Sequence, residues 1–358
     1  MAGTISALID GLAAGRPLSA DEYEQLVVAR TPELAAELAG RACEACERVY
    51  GDAVFTRALI EISNVCRNDC YYCGIRRSNR SCARYRMSPE QVMASAREAC
   101  RAGFRTFVLQ GGESPALTDA WLCSLVRDLK ASFPGCAVTL SVGERSRDSY
   151  RRLREAGADR YLLRHETATP AHYRQLHPAA MSFDARMECL RNLRELGYAV
   201  GAGFMVGSPF QTPARIAADL KFIEYFKPEM CGIGPFVPHH GTPFANEEAG
   251  TVDLTCYLLS LIRLMQPAAL LPATTALEAL KPDGRERAIG AGANVVMPNV
   301  SPAALQGSYE LYDRKPVSEK TAFQKWAELE RKLAPLGRRL VVDRGDAAEP
   351  SPKEDQRG

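Results

Sequence analysis

The sequence predicts an α/β fold: one (βα)8 barrel of the TIM type, with a helical extension before it and a disordered tail after it. Three observations lead there. Strand-like and helix-like stretches alternate eight times between residues 54 and 333. Helix boundaries carry a Ser-Pro start at Ser88-Pro89 and glycine stops such as Gly103, Gly157 and Gly197. The length, 358 residues, suits one barrel of roughly 250 residues with extensions.

Taken in order, residues 54–62 form an apolar-rich first strand, and a cysteine-bearing loop follows. Ser88-Pro89-Glu90 starts a helix, with serine as N-cap and proline at the first helical position, that ends near Gly103. The second strand is 105–109, followed by Gln110-Gly-Gly-Glu113 and a helix over 120–132. The third strand, 137–141, precedes a helix over 147–156 stopped by Gly157. The fourth is 160–163, with a helix over 182–196 ending at Gly197. The fifth, 199–206, and sixth, 230–234, lead to helices over 212–226 and 254–264. The seventh, 270–275, and eighth, 294–297, precede helices over 284–291 and 319–333. Such alternation gives parallel strands with helical crossovers, and eight strands close a barrel. Residues 1–53 read as helices outside the repeat that pack against one end of the barrel, which spans 54–340. Residues 341–358, almost without apolar side chains, read as a disordered tail.

Bulk properties narrow the function classes. A hydrophobic share of 46% and a charged share of 25% describe an ordinary globular protein. A formal net charge of +2 gives no overall pull toward nucleic acid or an anionic membrane. No apolar run reaches the ~20 residues that span a bilayer, and the N-terminus lacks the basic start of a signal peptide. The 12 cysteines are too dispersed for a secreted disulfide scaffold, so a reducing, cytoplasmic setting is expected.

The strongest chemical signal is Cys66-Arg-Asn-Asp-Cys70-Tyr-Tyr-Cys73, directly after the first strand, where an α/β barrel carries its active site. Iron–sulfur clusters are normally held by four thiolates. Three in one loop leave an iron with an open coordination site, which suits catalysis. A structural zinc site would need a fourth ligand. Cys43-x-x-Cys46 could supply a second pair, but it falls in a helical stretch and reads as packing, and Cys82 is a nearby stray cysteine. His239 and His240 read as loop residues.

The cysteine motif, with aromatic Tyr72 before the third cysteine, resembles the radical S-adenosylmethionine (SAM) signature. Further segments resemble one family, the HydE-type radical-SAM maturases of FeFe hydrogenase. They include Arg84-Tyr-Arg-Met87, Leu109-Gln-Gly-Gly-Glu113, Leu163-Arg-His-Glu-Thr167, Gly201-Ala-Gly-Phe-Met-Val-Gly207, Pro272-Ala-Thr-Thr275 and Asn294-Val-Val-Met-Pro-Asn299. The match runs from about Ala58 to Tyr312. It implies a 4Fe–4S cluster on Cys66, Cys70 and Cys73, and SAM contacts from Tyr72, Gly112, Glu113, Arg164, Glu166, Arg186 and Met205. It implies a radical enzyme acting on a cysteine-bound iron carbonyl–cyanide complex, in transient contact with other hydrogenase maturases and an electron donor. Some members carry an accessory cluster near the C-terminal end; with no cysteine after Cys256, none is expected here.

Residues at the late strand ends are mostly neutral. Gln110, Thr139, Ser141, Thr274, Thr275, Met297, Tyr309 and Tyr312 are expected to form a substrate wall that holds carboxylate or cyanide groups by hydrogen bonds. Alternation puts Arg164 and Glu166 in the barrel mouth and turns His165 away. The competing readings are a methylornithine-synthase or biotin-synthase-like enzyme and, from another class, a non-catalytic iron–sulfur carrier.

Overall fold

The computed structural model describes residues 2–348. Twelve strands are β1 (Ala53–Thr56), β2 (Ala58–Ser63), β3 (Thr106–Gly111), β4 (Ala137–Ser141), β5 (Arg160–Leu162), β6 (Ala199–Ala202), β7 (Met205–Val206), β8 (Met230–Cys231), β9 (Gly234–Pro235), β10 (Pro272–Ala273), β11 (Val295–Val296) and β12 (Arg339–Val341). All their pairings are parallel. One sheet runs β2-β3-β4-β5-β6-β8, another β10-β11-β1-β12, and β7 pairs with β9. A bridge between Met230 and Leu270 joins β8 to the β10 edge, and β1 runs into β2 through Arg57. The ring is therefore closed by eight staves, because β1–β2, β6–β7 and β8–β9 each make one interrupted stave.

The interruptions have local causes. Gly203, between β6 and β7, sits at φ +149, and a Cβ there would lie 2.1 Å from the carbonyl oxygen of Gly232. The staves approach too closely for any side chain, and the fifth expected strand breaks at that point. The seventh ends earlier than expected: β10 stops at Ala273, and Thr275 opens the helix Thr275–Leu280.

Side chains alternate as a barrel requires. Ala58, Ile60, Ile62, Phe107, Leu109, Val138 and Leu140 point outward into the apolar layer beneath the helices. Arg57, Glu61, Gln110, Thr139, Ser141, Arg160 and Arg164 have the opposite parity and point in. The crossover helices start where the sequence marks them. Ser88 caps Pro89–Arg101 with a full capping box completed by Gln91, and Thr212 caps Pro213–Phe226.

Two expectations need correction. The N-terminal helices Ala2–Ala13, Ala20–Val28 and Pro32–Tyr50 do not cover a barrel end. Leu8, Ile9, Leu12, Leu26 and Leu38 join the apolar cluster of Val252–Met265 and Pro213–Phe226, on the barrel's outer wall. Their apolar stripes need a helical partner, and the barrel ends offer polar loops. Nor does an unstructured tail begin at residue 341. β12 pairs with β1, and residues 343–348 close the barrel floor. The carbonyl of Gly345 accepts from Arg57 at 3.1 Å, that of Arg344 accepts from Thr106 at 2.7 Å, and Asp346 pairs with Arg160 at 2.5 Å. The tail is polar because it satisfies buried arginines. Residues 349–358 lie outside the described residues. Among the described residues, no helix is long and apolar enough to cross a membrane.

Candidate active site

The segment after β2 has no regular structure, and polar side chains hold its shape. Arg84 donates to four carbonyls, those of Asn64 and Ile75 at 2.7 Å, Arg76 at 2.6 Å and Asn79 at 3.0 Å. Asn64 donates to the carbonyls of Ala83 (2.7 Å) and Ser308 (2.6 Å). Asp69 accepts from Arg76 at 2.7 Å and from the Ser78 amide at 3.1 Å. Burial alone would raise the Asp69 carboxyl, but these bonds bring its pKa down to about 2.

That frame presents Cys66, Cys70 and Cys73 to one cavity. Burial raises all three thiols, Cys70 to about 12. As bare side chains they would stay protonated at neutral pH; a bound metal centre reverses that preference. Their sulfurs are not all within 4.8 Å of one another. Tetrahedral zinc with ~2.3 Å bonds needs sulfurs about 3.8 Å apart. A wider set suits separate irons of a cluster better than a single ion. Tyr72 is half-buried beside them, its hydroxyl 3.0 Å from Nε2 of His177.

The end of β3 comes up against this loop. A Cβ on Gly112 would lie 2.4 Å from the Val65 carbonyl oxygen and 2.9 Å from Cys66 Cβ, so only glycine permits the approach. Glu113 Oε1 meets Arg67 Nε at 2.7 Å, and its Oε2 accepts from the Glu144 amide at 2.8 Å.

Across the cavity, Arg164 and Glu166 stand 3.1 Å apart. The contact lacks hydrogen-bond geometry: Arg164 Nε and Nη2 and Glu166 Oε2 are buried with no partner. Buried polar atoms without hydrogen-bond partners are costly, and these two residues line the cavity. Glu166 also holds φ +65, unfavourable for a non-glycine residue. His165 turns the other way, into a buried niche 3.4 Å from Asp219. Arg186 donates to Glu144 at 2.5 Å and to the Arg164 carbonyl at 2.6 Å, positioning that strand end. Met205 lines the same cavity.

The cavity measures about 320 Å³. Gln110, Ser141, Tyr309 and Tyr312 reach it; Gln110 donates to the Tyr309 hydroxyl at 3.3 Å. Thr139, Thr274, Thr275 and Met297 do not line it. Thr139 lies one inward layer below Ser141, against the floor arginines. Thr274 is half-buried, and its buried hydroxyl has no partner. Thr275 makes contact only through the Tyr312 hydroxyl, at 2.7 Å. Met297 packs beside Met230, Leu270 and Val295.

A family description of the radical SAM superfamily matches residues 60–223. Over 268 residues the chain is 48% identical to the FeFe hydrogenase maturase subunit HydE of Thermotoga maritima, covering 75% of this chain and 76% of that protein. The chain belongs to the HydE family of radical SAM enzymes. Among solved structures, this HydE-family chain matches methylornithine synthase (PylB) with a TM-score of 0.82 at 26% identity, over 93% of this chain and 97% of that one. It matches the FeFe-hydrogenase maturase HydG from Carboxydothermus hydrogenoformans with a TM-score of 0.78 at 21% identity, over 94% and 79%. The second likeness shows the fold alone.

Radical SAM enzymes use a 4Fe–4S cluster and SAM. The residues of this HydE-family chain fit both: three thiols on one loop, a glycine-only approach beside them, and unpartnered charged atoms facing the same cavity. Sequence reasoning passed over several neighbours. Arg67, Glu144 and His177 hold the named residues in place. Glu61, at an inward position of β2, is fully buried and paired with Lys315. A lone acid in an apolar strand was its available signal; Lys315 had none, because its partner lies on a distant element. Three further cysteines near the loop or in the first helices are accounted for locally. The Cys43 thiol donates to the Gly290 carbonyl at 3.2 Å, Cys46 is buried in its helix, and Cys82 packs between Asn64 and Ser308. His239, His240 and Asp313 cluster, but His239 Nδ1 accepts from the Gly241 amide at 2.9 Å. Its Nε2 therefore carries the proton and faces Glu310 at 3.5 Å, which disfavours metal ligation through that nitrogen.

Proposed function

We propose that this chain is a cytoplasmic maturase. It cleaves SAM reductively and directs the resulting radical at a cysteine-bound iron carbonyl–cyanide complex, a precursor of the di-iron subcluster of FeFe hydrogenase. One observation carries this reading: a single cavity brings together the three-cysteine loop, the unpartnered Arg164–Glu166 pair and a wall of neutral amide and hydroxyl groups. Identity to a HydE protein across three quarters of the chain supports the choice of substrate.

In this reading Cys66, Cys70 and Cys73 would hold the 4Fe–4S cluster, with SAM bound beside it in the same cavity. When bound, the two would supply reductive cleavage of SAM to methionine and a 5′-deoxyadenosyl radical. The chain's own residues then bind, orient and exclude water. Glu113 accepts from the SAM ammonium, and Gly112 keeps the backbone close to it. Glu166 accepts from the ribose hydroxyls, and Arg164 faces a carboxylate, which would satisfy the atoms now without partners. Arg186 fixes Arg164 through its carbonyl. Tyr72 and Met205 wall the adenosyl side. Gln110, Ser141, Tyr309 and Tyr312 donate hydrogen bonds to the cyanide and carboxylate groups of the complex. The closed barrel keeps a reactive carbon radical from stray hydrogen donors. Other hydrogenase maturases deliver and accept the iron complex.

The test is anaerobic. The reconstituted protein receives SAM and a reductant, and 5′-deoxyadenosine is quantified with and without the cysteine-bound iron dicarbonyl–cyanide complex. Strong stimulation by the complex, lost in Cys70→Ala, is the expected result. Cleavage without stimulation would keep the radical enzyme and remove this substrate.

A further inference from the structure

The segment that carries the three cysteines is also the most basic on the chain. Residues 66–86 hold six arginines against one aspartate, in a protein of net charge +2. Part of this charge is used inside the loop. Arg84 ties four carbonyls together, Arg76 pairs with Asp69, and Arg67 pairs with Glu113. Arg77 and Arg80 are exposed. Among the described residues, neither side chain makes a hydrogen bond or meets a carboxylate. Arg86 is exposed as well and bonds only a carbonyl, that of Ala116 at 3.0 Å. Nearby carboxylates make no ion pair with these two arginines: Asp69 and Glu113 are engaged as above, Asp313 is held by His240 at 2.7 Å, and Glu310 faces His239 at 3.5 Å. The backbone beneath is fixed, with the Arg77 amide on the Asn68 carbonyl at 2.8 Å and the Arg76 amide on that of Cys73 at 3.0 Å. The unpaired positive charge is thus mounted rigidly over the cysteine loop.

We propose that the Arg77–Arg80 face is the docking surface for a small acidic one-electron carrier protein, which delivers the reducing electron through the cysteine loop. The inference rests on the proposed function, since it takes Cys66, Cys70 and Cys73 as the cluster ligands. Two arguments choose this occupant. An exposed basic surface without its own counter-ions attracts an acidic partner and speeds encounter at low ionic strength. The face is continuous with the cysteine loop, because the Arg76 and Arg77 amides bond the carbonyls of Cys73 and Asn68. The step is balanced: a carrier hydroquinone gives one electron and becomes the semiquinone, and the cluster takes that electron.

Two readouts test this on the full-length reconstituted protein, with flavodoxin as the probe. Binding of oxidised flavodoxin is measured by biolayer interferometry at low and physiological ionic strength, and SAM cleavage is measured with either flavodoxin hydroquinone or dithionite as reductant. The variants are Arg77→Glu/Arg80→Glu and the charge-keeping Arg77→Lys/Arg80→Lys. The expected outcome is salt-sensitive binding, weakened at least about tenfold in the glutamate variant and retained in the lysine variant. Flavodoxin-driven cleavage falls in parallel and dithionite-driven cleavage is unchanged. Equal binding by wild type and the glutamate variant, or binding without salt dependence, overturns the proposal. So does a glutamate variant whose only change is a raised KM for the anionic iron complex, because the loop would then steer substrate. Failure of the function reading looks different: dithionite-driven cleavage would be absent in the wild type whatever the binding data show.

Discussion

The Tyr72 hydroxyl and Nε2 of His177 lie 3.0 Å apart, and the other nitrogen of that imidazole is 2.9 Å from the Tyr173 carbonyl. One arrangement satisfies both contacts: Nδ1–H donates to the carbonyl and Nε2 accepts from the phenol. Burial holds the ring neutral, with its pKa lowered to about 3. An unfolded histidine titrates near 6.5, so between about pH 6.5 and 3 the unfolded chain binds a proton that the folded chain refuses. Stability from the neutral ring is therefore complete above pH 6.5 and is lost as pH falls. Thermal melts from pH 8 to 5 are expected to decline below pH 6.5. In His177→Asn the stability-versus-pH slope should be shallower by up to one proton, about 1.4 kcal/mol per pH unit. An unchanged slope would place the acid sensitivity elsewhere; His165, also lowered to about 3 by burial, is the next position to substitute.

Gly112→Ala should separate folding from cluster assembly. The added methyl would meet the Val65 carbonyl oxygen at 2.4 Å and Cys66 Cβ at 2.9 Å, while outward positions of β3 keep their packing. The cysteine loop must shift, and the three thiols lose their common geometry. The expected result is near-normal secondary structure by circular dichroism, with iron and sulfide after reconstitution well below the wild-type content. Full loading would show that the loop can yield.

Glu166→Gln keeps the shape and removes the charge. A hydrogen bond to a charged group contributes about 1.5–3 kcal/mol, against about 0.5–1.5 for the neutral one that glutamine can still accept, so SAM affinity should weaken about 5- to 10-fold if Glu166 accepts the ribose hydroxyls. Equilibrium dialysis with labelled SAM measures this directly. Affinity within twofold of wild type would remove Glu166 from the SAM site.

The barrel was legible because its signals are local: alternating apolar strands, a Ser-Pro helix start, and glycine stops. The cysteine loop was legible because its ligands are close in sequence. What escaped was satisfied across the fold. Nothing near Asp346 in sequence indicates that Arg160 awaits it beneath the barrel, so a polar segment read as disordered. Thr139, Thr274, Thr275 and Met297 were assigned to the wall from their place near strand ends, but strand length fixes depth. Thr139 falls a layer low, and β10 ends before Thr275. The Glu166 backbone, at φ +65, could not be read from its residue type.

The tail's role can be measured by truncation after Val342. That removes the Gly345 carbonyl from Arg57, whose Nε and Nη1 already lack partners, and Asp346 from Arg160. Asp346 is half-exposed, so its pair is screened, and the larger effect comes from uncovering two buried guanidinium groups. The truncated chain should melt several degrees lower. Asp346→Ala alone should lower Tm by less. An unchanged Tm on truncation would mean that solvent serves these arginines as well as the tail does.

Glu61 and Lys315 give the sharpest energetic test. Both are buried, at 0% and 7% exposure. Glu61 also accepts from Asn299 at 2.7 Å, and Lys315 donates to the Tyr309 carbonyl at 2.6 Å while lying 4.8 Å above the Tyr309 ring. Burial raises the Glu61 carboxyl and lowers the Lys315 ammonium, but each charge is the other's main compensation. Lys315→Met strands a buried carboxylate and should cost about 3–5 kcal/mol, whereas Glu61→Gln/Lys315→Met should recover much of that loss. Tyr309 lines the cavity, and Lys315 ties its backbone to the barrel wall. The double variant should therefore keep basal SAM cleavage but lose stimulation by the iron complex. Denaturant melts of both single variants and the double variant give the coupling energy, and 5′-deoxyadenosine yields give the functional half. Additive melts would show that the pair is not coupled, and retained stimulation would show that Tyr309 holds its place without Lys315.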